Sequence, residues 1–239
     1  MAVQQGDQSG PPALFAWLVH AFTASGAVLA LLALLAVEER RFTLALAWLA
    51  VALVVDGVDG SLARWARVKE RAARIDGDAL DLVIDYLTYV FVPALFLWRA
   101  GLIVPAFAPA LVAAILVSSL YVFARRDMKT DDGYFRGFPA LWNLVALYLF
   151  LLQPGPEVGA AVVIGLVIMT FAPIHFVHPF RVRDYGRWLP LLAVMWGLAT
   201  AALLWPEWSE PVRTVVAAVS VATAAALLGM GLLRSLRGR

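Results

Sequence analysis

Apolar positions in this chain do not alternate with polar ones at a surface-helix or strand period. They run together in long blocks separated by short polar clusters. A helix crossing the hydrocarbon of a bilayer needs about 20 apolar residues. That window picks out eight helical segments, near 20–37, 42–63, 78–98, 105–124, 137–153, 158–176, 187–205 and 212–233. Residues 13–19 are expected as part of the first segment or as a short leading helix along the interface. The fifth segment (FPALWNLVALYLFLLQ) is the shortest. Breaks fall at Glu38-Glu39-Arg40-Arg41, Arg125-Arg126, Pro154-Gly155-Pro156 and Pro206-Glu207, where charge or helix-breaking residues concentrate. Residues 1–12 read as a short disordered tail without the cationic start of a signal peptide. Residues 13–239 read as one domain, with no linker, low-complexity tract or repeat. The expected class is an all-α, polytopic transmembrane bundle.

Composition agrees with that pattern. Of 239 residues, 62% are hydrophobic and 15% charged, against about 45–50% and about 25% in soluble domains. A soluble fold of this size could not hide so much apolar surface. With no cysteine there are no disulfides or thiolate metal sites, and a net charge of +2 gives no reason to expect nucleic acid. The distribution of cations says more than their sum. With eight spans and a cytoplasmic N-terminus, the inner loops hold Arg64, Arg67, Lys69, Arg71, Arg74, Arg125, Arg126, Lys129, Arg136, Arg181, Arg183, Arg187, Arg234, Arg237 and Arg239. The outer loops hold Arg40, Arg41, Arg99 and Arg213. The positive-inside rule then puts both termini in the cytoplasm.

Four acids sit against this apolar background. Asp56 and Asp59 fall near the end of the second segment, Asp81 and Asp85 near the start of the third. An aspartate at the centre of a spanning helix costs about 2.5–3.5 kcal/mol on insertion scales. Four such charges together also repel one another, and a cation between them removes that conflict. The spacings i, i+3 and i, i+4 put each pair on one helix face. A hairpin closed by the basic loop would bring the two faces together at the cytoplasmic boundary. An all-oxygen ligand set of this kind suits Mg²⁺ or Mn²⁺. Two such ions would clamp a diphosphate for in-line displacement. Gly57, Gly60 and Gly77 interrupt helices at a cost of about 0.8–1.0 kcal/mol each relative to Ala, which close approach to a ligand or a neighbouring helix would offset.

Asp56-Gly57, Asp59-Gly60 and Ala63-Arg64, followed by Gly77, Asp81 and Asp85, together resemble the signature of the CDP-alcohol phosphotransferases. The gap from Arg64 to Gly77 is twelve residues, longer than in most of that superfamily and the form found in bacterial phosphatidylcholine synthases. The runs VVDGVDGSLAR, IDGDALDLVIDYLTYVFVPAL, HAFTASGAVLALLALLAV, FRGFPALWN and HFVHPFRVR are similar to that family as well. The resemblance covers nearly the whole chain.

The resemblance implies that Asp56, Asp59, Asp81 and Asp85 hold two divalent ions, Mn²⁺ or Mg²⁺, which grip the CDP diphosphate. It implies that Asp85 is also the general base. Asp56, Gly60, Ala63, Arg64 and Gly77 would form the CDP site, with Arg64 either contacting the diphosphate or bracing the carboxylates. The implied reaction takes CDP-diacylglycerol and choline to phosphatidylcholine and CMP, in a bacterial-type inner membrane, with the active site on the cytoplasmic side. Relatives of this kind are usually homodimers.

A quaternary ammonium is held by aromatic faces. Candidates for a choline cage are Tyr86, Tyr89, Tyr121 and Trp142, with Tyr134 and Phe135 nearby. Tyr89 is the first choice because it lies one turn beyond Asp85. Interfacial anchoring is the alternative for each. Arg125, Arg126 and Lys129 are candidates for the lipid phosphate, with Arg181 and Arg183 in the same class; the orientation rule alone also accounts for them. His20, His175 and His178 are not expected to bind metal; His175 and His178, spaced i, i+3, are minor candidates to reach the site. Asp76 and Asp78 suit a helix start. Two competing functions remain. One keeps the chemistry and changes the acceptor to serine, glycerol phosphate or inositol. The other is an ion-coupled transporter, against which stand the clustering of the acids in one hairpin and the lack of a repeated half.

Overall fold

The structure is a computed structural model and describes residues 13–205 and 207–237; the expected tail at 1–12 lies outside the described residues. In chain order the helices are α1 (Ala13–Glu38), α2 (Phe42–Trp65), a single turn α3 (Val68–Arg71), α4 (Gly77–Asp85), α5 (Val92–Arg99), α6 (Ala108–Ala124), α7 (Trp142–Leu152), α8 (Pro156–Phe171), α9 (Trp188–Ala202) and α10 (Glu210–Leu236). Among the described residues five stretches are long and apolar enough to cross a membrane: α1, α2, Gly77–Arg99, Pro105–Ala124 and α10. α7, α8 and α9 are apolar but shorter. The protein is therefore a multi-pass helical membrane protein.

The eight segments read from the sequence all carry a helix, and the differences lie at their ends. Residues 13–19 do not form a separate interfacial helix but are the first two turns of α1. The fifth segment begins at Trp142 rather than near 137. The preceding stretch is instead tied to the end of α8, with Gly137 N–H donating to Ile174 O (2.7 Å) and Phe138 N–H to Met169 O (3.2 Å). Ala140 then turns the chain with φ 58°. α8 ends at Phe171 because Pro173 forces Ala172 into extended backbone (ψ 150°). The released strands pair antiparallel, Phe135 with Phe176 and Arg136 with His175. An otherwise all-α chain thus carries a two-stranded ladder, β1 (Phe135–Arg136) and β2 (His175–Phe176).

Small residues explain how α1 packs. Its buried stripe is Ala16, Val19, His20, Thr23, Gly26, Ala30, Ala33, Ala36 and Val37, and small side chains let membrane helices approach closely. The third span is continuous but changes register between α4 and α5. Tyr86–Phe91 is π-helical, and Val92 N–H reaches back to Leu87 O. Pro93 has no N–H to give to the Tyr89 carbonyl, so the ordinary ladder is already broken one residue later. The main core gathers α1, α2, the third span, α6, α7 and α8 around Phe96, Leu97, Ile103, Ile115 and Trp142.

The last hairpin, α9–α10, joins that core through a buried polar chain. Trp196 Nε1 donates to Tyr148 Oη (2.7 Å), which meets Ser220 Oγ (2.7 Å), itself 2.7 Å from Thr200 Oγ1. In a low-dielectric interior such a chain has to be fully paired to be tolerated.

Candidate active site

The acids come from the end of α2 and the start of the third span. α4 starts where Asp76 caps it, accepting from the backbone N–H groups of Asp78 and Ala79 (both 3.1 Å). Asp78 pairs with Lys69 across the connecting loop at 2.6 Å on the exposed surface. Gly77 follows, and a Cβ there would stand 3.2 Å from the His20 ring. Its bareness lets α4 start directly against α1, a packing role seen in the fold whatever it does toward a nucleotide.

One helical turn further, Asp81 and Asp85 face Asp56. Carboxylate oxygens of Asp56, Asp81 and Asp85 all lie within 4.8 Å of one another, and each of the three residues is half-buried. Asp85 Oδ1 is a buried acceptor with no partner. Three hard, partly desolvated oxygen donors with one oxygen unsatisfied fit a divalent cation. Asp59 sits beside this triad but turns toward α1, accepting from Thr23 Oγ1 at 2.8 Å in a buried contact. Tyr89 donates its hydroxyl to Asp56 Oδ2 at 2.7 Å.

A cap built from residues 128–136 and 174–182 is held together by the β1–β2 ladder and a bridge between Lys129 and Phe135. Lys129 Nζ stands 5.1 Å over the Phe135 ring. Phe135 stacks on His178, with centroids 5.3 Å apart and planes 9° from parallel. Burial lowers the Lys129 pKa and Arg181 lowers it further, while Asp85, Asp81 and Asp56 act in the opposite sense. Lys129 is thus half-buried within electrostatic reach of Asp85, Asp81 and Asp56, and among the described residues it has no ion pair at contact distance. Burial, and then the Lys129 and Arg181 cations, push His178 down to about 4, so its imidazole is neutral at physiological pH.

Other residues singled out in the sequence are placed elsewhere. Trp142 is fully buried, its Nε1 donating to Ser119 Oγ (2.9 Å) and its ring meeting Phe138 edge-on; it belongs to the core and presents no face to a ligand. Tyr86 donates to Leu116 O (3.1 Å) and packs edge-on against Phe123, toward α6. Tyr121 is exposed beneath the Arg125 guanidinium and against Phe171. Tyr134 is buried and donates to Asp184 (2.9 Å). Arg125 is committed to Asp127 through two 2.8 Å hydrogen bonds and to Arg136 O, whereas Arg126 is exposed. Arg64 is exposed and donates to Ser61 Oγ (3.0 Å), not to the carboxylates, so the bracing alternative is not the arrangement seen. Space above Gly57 is open, and a Cβ on Gly60 would meet only Arg64, at 3.6 Å.

Thr23 is the residue the sequence reading missed. Its signal was a lone hydroxyl in the small-residue stripe of α1, which by spacing alone looks like any other packing position.

Comparison with known proteins agrees with this geometry. A profile of the CDP-alcohol phosphatidyltransferase family matches residues 16–178, which run from the first turn of α1 through β2 and contain the whole acid cluster. A phosphatidylcholine synthase of Pseudomonas aeruginosa is 48% identical over 189 residues, covering 79% of each chain. One from Bradyrhizobium diazoefficiens is 47% identical over 193 residues, covering 80% of this chain and 72% of its own. One from Rhizobium meliloti is 43% identical over 209 residues, covering 86% and 85%. By motif, by the convergence of its acids and by these matches, the chain belongs to the CDP-alcohol phosphatidyltransferase family.

Proposed function

We propose that this protein transfers the phosphatidyl group of CDP-diacylglycerol to choline, forming phosphatidylcholine and releasing CMP. The observation that carries the reading is the convergence of Asp56, Asp81 and Asp85 within 4.8 Å from two helices, in a chain whose similar relatives are phosphatidylcholine synthases.

Asp56, Asp59, Asp81 and Asp85 are the residues to hold two divalent ions, Mn²⁺ or Mg²⁺. Bound there, the ions would neutralise the diphosphate and stabilise the charge that develops on the departing phosphate. Asp85 takes the hydroxyl proton of the acceptor. The acceptor oxygen then bonds to the phosphorus bearing diacylglycerol, and the bond from that phosphorus to the bridging oxygen breaks, so that CMP leaves. This chemistry asks mainly for positioning and charge neutralisation. Gly60 and Arg64, exposed on α2, would meet the nucleotide beside Ala63, which is partly buried against Ala16, Val19 and Ala66, and Arg64, free of the carboxylates, would reach the diphosphate. Lys129 opposes the acids from the cap, where an anionic phosphoryl group would lie between a cation and the metal site. Tyr121 and the exposed Arg126 remain available to acceptor and headgroup.

All eight apolar helices are taken as spans, including the short α7, α8 and α9. The cap, the α2–α4 loop and the end of α10 then face the cytoplasm, leaving Arg40, Arg41 and Arg99 on the other side of a single-domain protein of the bacterial inner membrane. The paired ends support this sidedness: Arg99 meets Glu38 (3.1 Å) at one end, Arg234 meets Asp132 (2.9 Å) at the other.

The test is CMP release by detergent-purified protein given CDP-diacylglycerol, Mn²⁺ and a panel of alcohols. Release that depends on choline supports the reading. Release with serine, glycerol phosphate or inositol in preference to choline would overturn the acceptor. Choline flux into liposomes without CMP release would overturn the chemistry.

A further inference from the structure

Two of the four acids are held by hydroxyl groups from other elements, and two are not. Asp59 Oδ2 accepts from Thr23 of α1, and Asp56 Oδ2 from Tyr89 of the π-helical turn. Thr23 and Tyr89 are both 8% exposed, so each hydroxyl is largely shielded from water, the Thr23 bond being buried and the Tyr89 bond partly so. A hydrogen bond from a hydroxyl to an ionised carboxylate is short and strong for its kind, and it fixes the rotation of the carboxyl group. Each acid on α2 then has one oxygen committed and the other presented in a set direction. Asp81 and Asp85, on α4, have no such tether among the described residues, and Asp85 Oδ1 is buried without a partner.

The register change at Tyr86–Phe91 governs where the Tyr89 hydroxyl arrives. Its ring packs into the main core and its only polar atom is spent on Asp56. A cation-binding cage needs an aromatic face open to the ligand, and Tyr89 offers none.

We propose that Thr23 and Tyr89 are positioning residues that preset the Asp59 and Asp56 carboxylates for divalent-ion binding, and that Tyr89 takes no part in holding the acceptor. The proposal rests on the reading of the four acids as metal ligands. Groups that orient ligands from behind typically change metal affinity by about 10–100-fold when removed.

The experiment measures Mn²⁺ binding to detergent-purified protein by electron paramagnetic resonance, without lipid substrate, beside kinetics at saturating Mn²⁺. Wild type should bind Mn²⁺ and Asp56→Asn should not; failure of either result would overturn the metal reading itself. Given that reading, Tyr89→Phe and Thr23→Val should each weaken Mn²⁺ by about tenfold, while the KM for choline stays at the wild-type value once Mn²⁺ saturates. Thr23→Ser, which keeps the hydroxyl, should restore most of the affinity. The opposite pattern for Tyr89→Phe, unchanged Mn²⁺ binding with a raised KM for choline, would overturn the proposal and return Tyr89 to the acceptor pocket. Unchanged Mn²⁺ binding in both variants would overturn it too. Thermal unfolding in chelator separates these outcomes from a folding defect: loss of Mn²⁺ affinity in step with a lowered chelator-state Tm, not restored by Thr23→Ser, would assign both residues to packing alone.

Discussion

The floor and the cap of the site are built by opposite means. The floor is four acids on α2 and the third span, at the ends of helices that run into the main core, two of them tethered by buried hydroxyls. The cap is loop and ladder, resting on a separate small cluster of Tyr134, Val182 and Leu189 with Leu227 and Met230 of α10. It is pinned from one side by the last turns of α10. Ser235 Oγ accepts from His175 N–H (2.7 Å), Arg234 donates to Asp132 (2.9 Å) and lies 5.5 Å over the Tyr134 ring, and Gly231 lets α10 lie directly on the His175–Phe176 backbone. Charge that must be held in fixed geometry is mounted on helices, where backbone hydrogen bonding is complete within each segment. The groups facing it from the cap sit on backbone that can open locally at lower free energy. The α9–α10 hairpin that braces the cap lies beyond residue 178, where the match to the family profile ends.

That contrast can be broken from the floor first. If Asp85 is the general base as proposed, Asp85→Asn should lower turnover by about 10²–10⁴-fold with CDP-diacylglycerol binding retained; CMP release and lipid-nucleotide binding, measured side by side, check it. Near-normal phosphatidylcholine formation by this variant would remove Asp85 from that role.

Lys129→Ala takes a cation from the cap and should raise the KM for CDP-diacylglycerol by about tenfold or more, the scale of a lost hydrogen bond to a charged group. The same change should not weaken Mn²⁺ binding, because a positive charge facing the acids has been removed. A parallel loss of both would show that floor and cap fold as one unit.

Gly231→Leu should lift α10 from β2, since even a Cβ at this position stands 3.1 Å from Phe176 Cα, and overpacking typically costs about 1–3 kcal/mol. Hydrogen exchange should rise in residues 128–136 and 174–182 and stay unchanged in α1 and α2.

The smallest effect is expected from pH. His178 is held neutral in the folded cap at about 4, against an ordinary 6.5. Its folded pKa lies below its unfolded one, so its contribution is complete above about 6.5 and is lost as pH falls toward about 4. Exchange in the cap should therefore quicken across that window, and replacing His178 with Asn should flatten the dependence.

Much of the floor was legible in the sequence. Aspartates at i, i+3 and i, i+4 in apolar helices are costly enough to mean a site, and Gly77 marked a close approach, although to His20 rather than visibly to a ligand. The cap was legible only in its ingredients. Lys129, His175 and His178 stood out as residues, but nothing in their spacing said that Phe135 would stack on His178 or that α10 would hold them. Trp142 stood among the choline-cage candidates and is a core residue, fully buried with its Nε1 on Ser119 Oγ. Tyr89 stood correctly one turn beyond Asp85, yet the destination of its hydroxyl depended on a π-helical turn.

Local chemistry determined the class of the molecule, the positions of its helices and the identity of its four acids. Hydropathy and carboxylate desolvation act along the chain and leave their mark in order. What only the tertiary structure decided was which partner each polar atom found: Thr23 for Asp59, Tyr89 for Asp56, α10 for the cap. Those choices pair residues distant in sequence, and they follow from how closely small-residue faces allow helices to approach, which no single segment specifies.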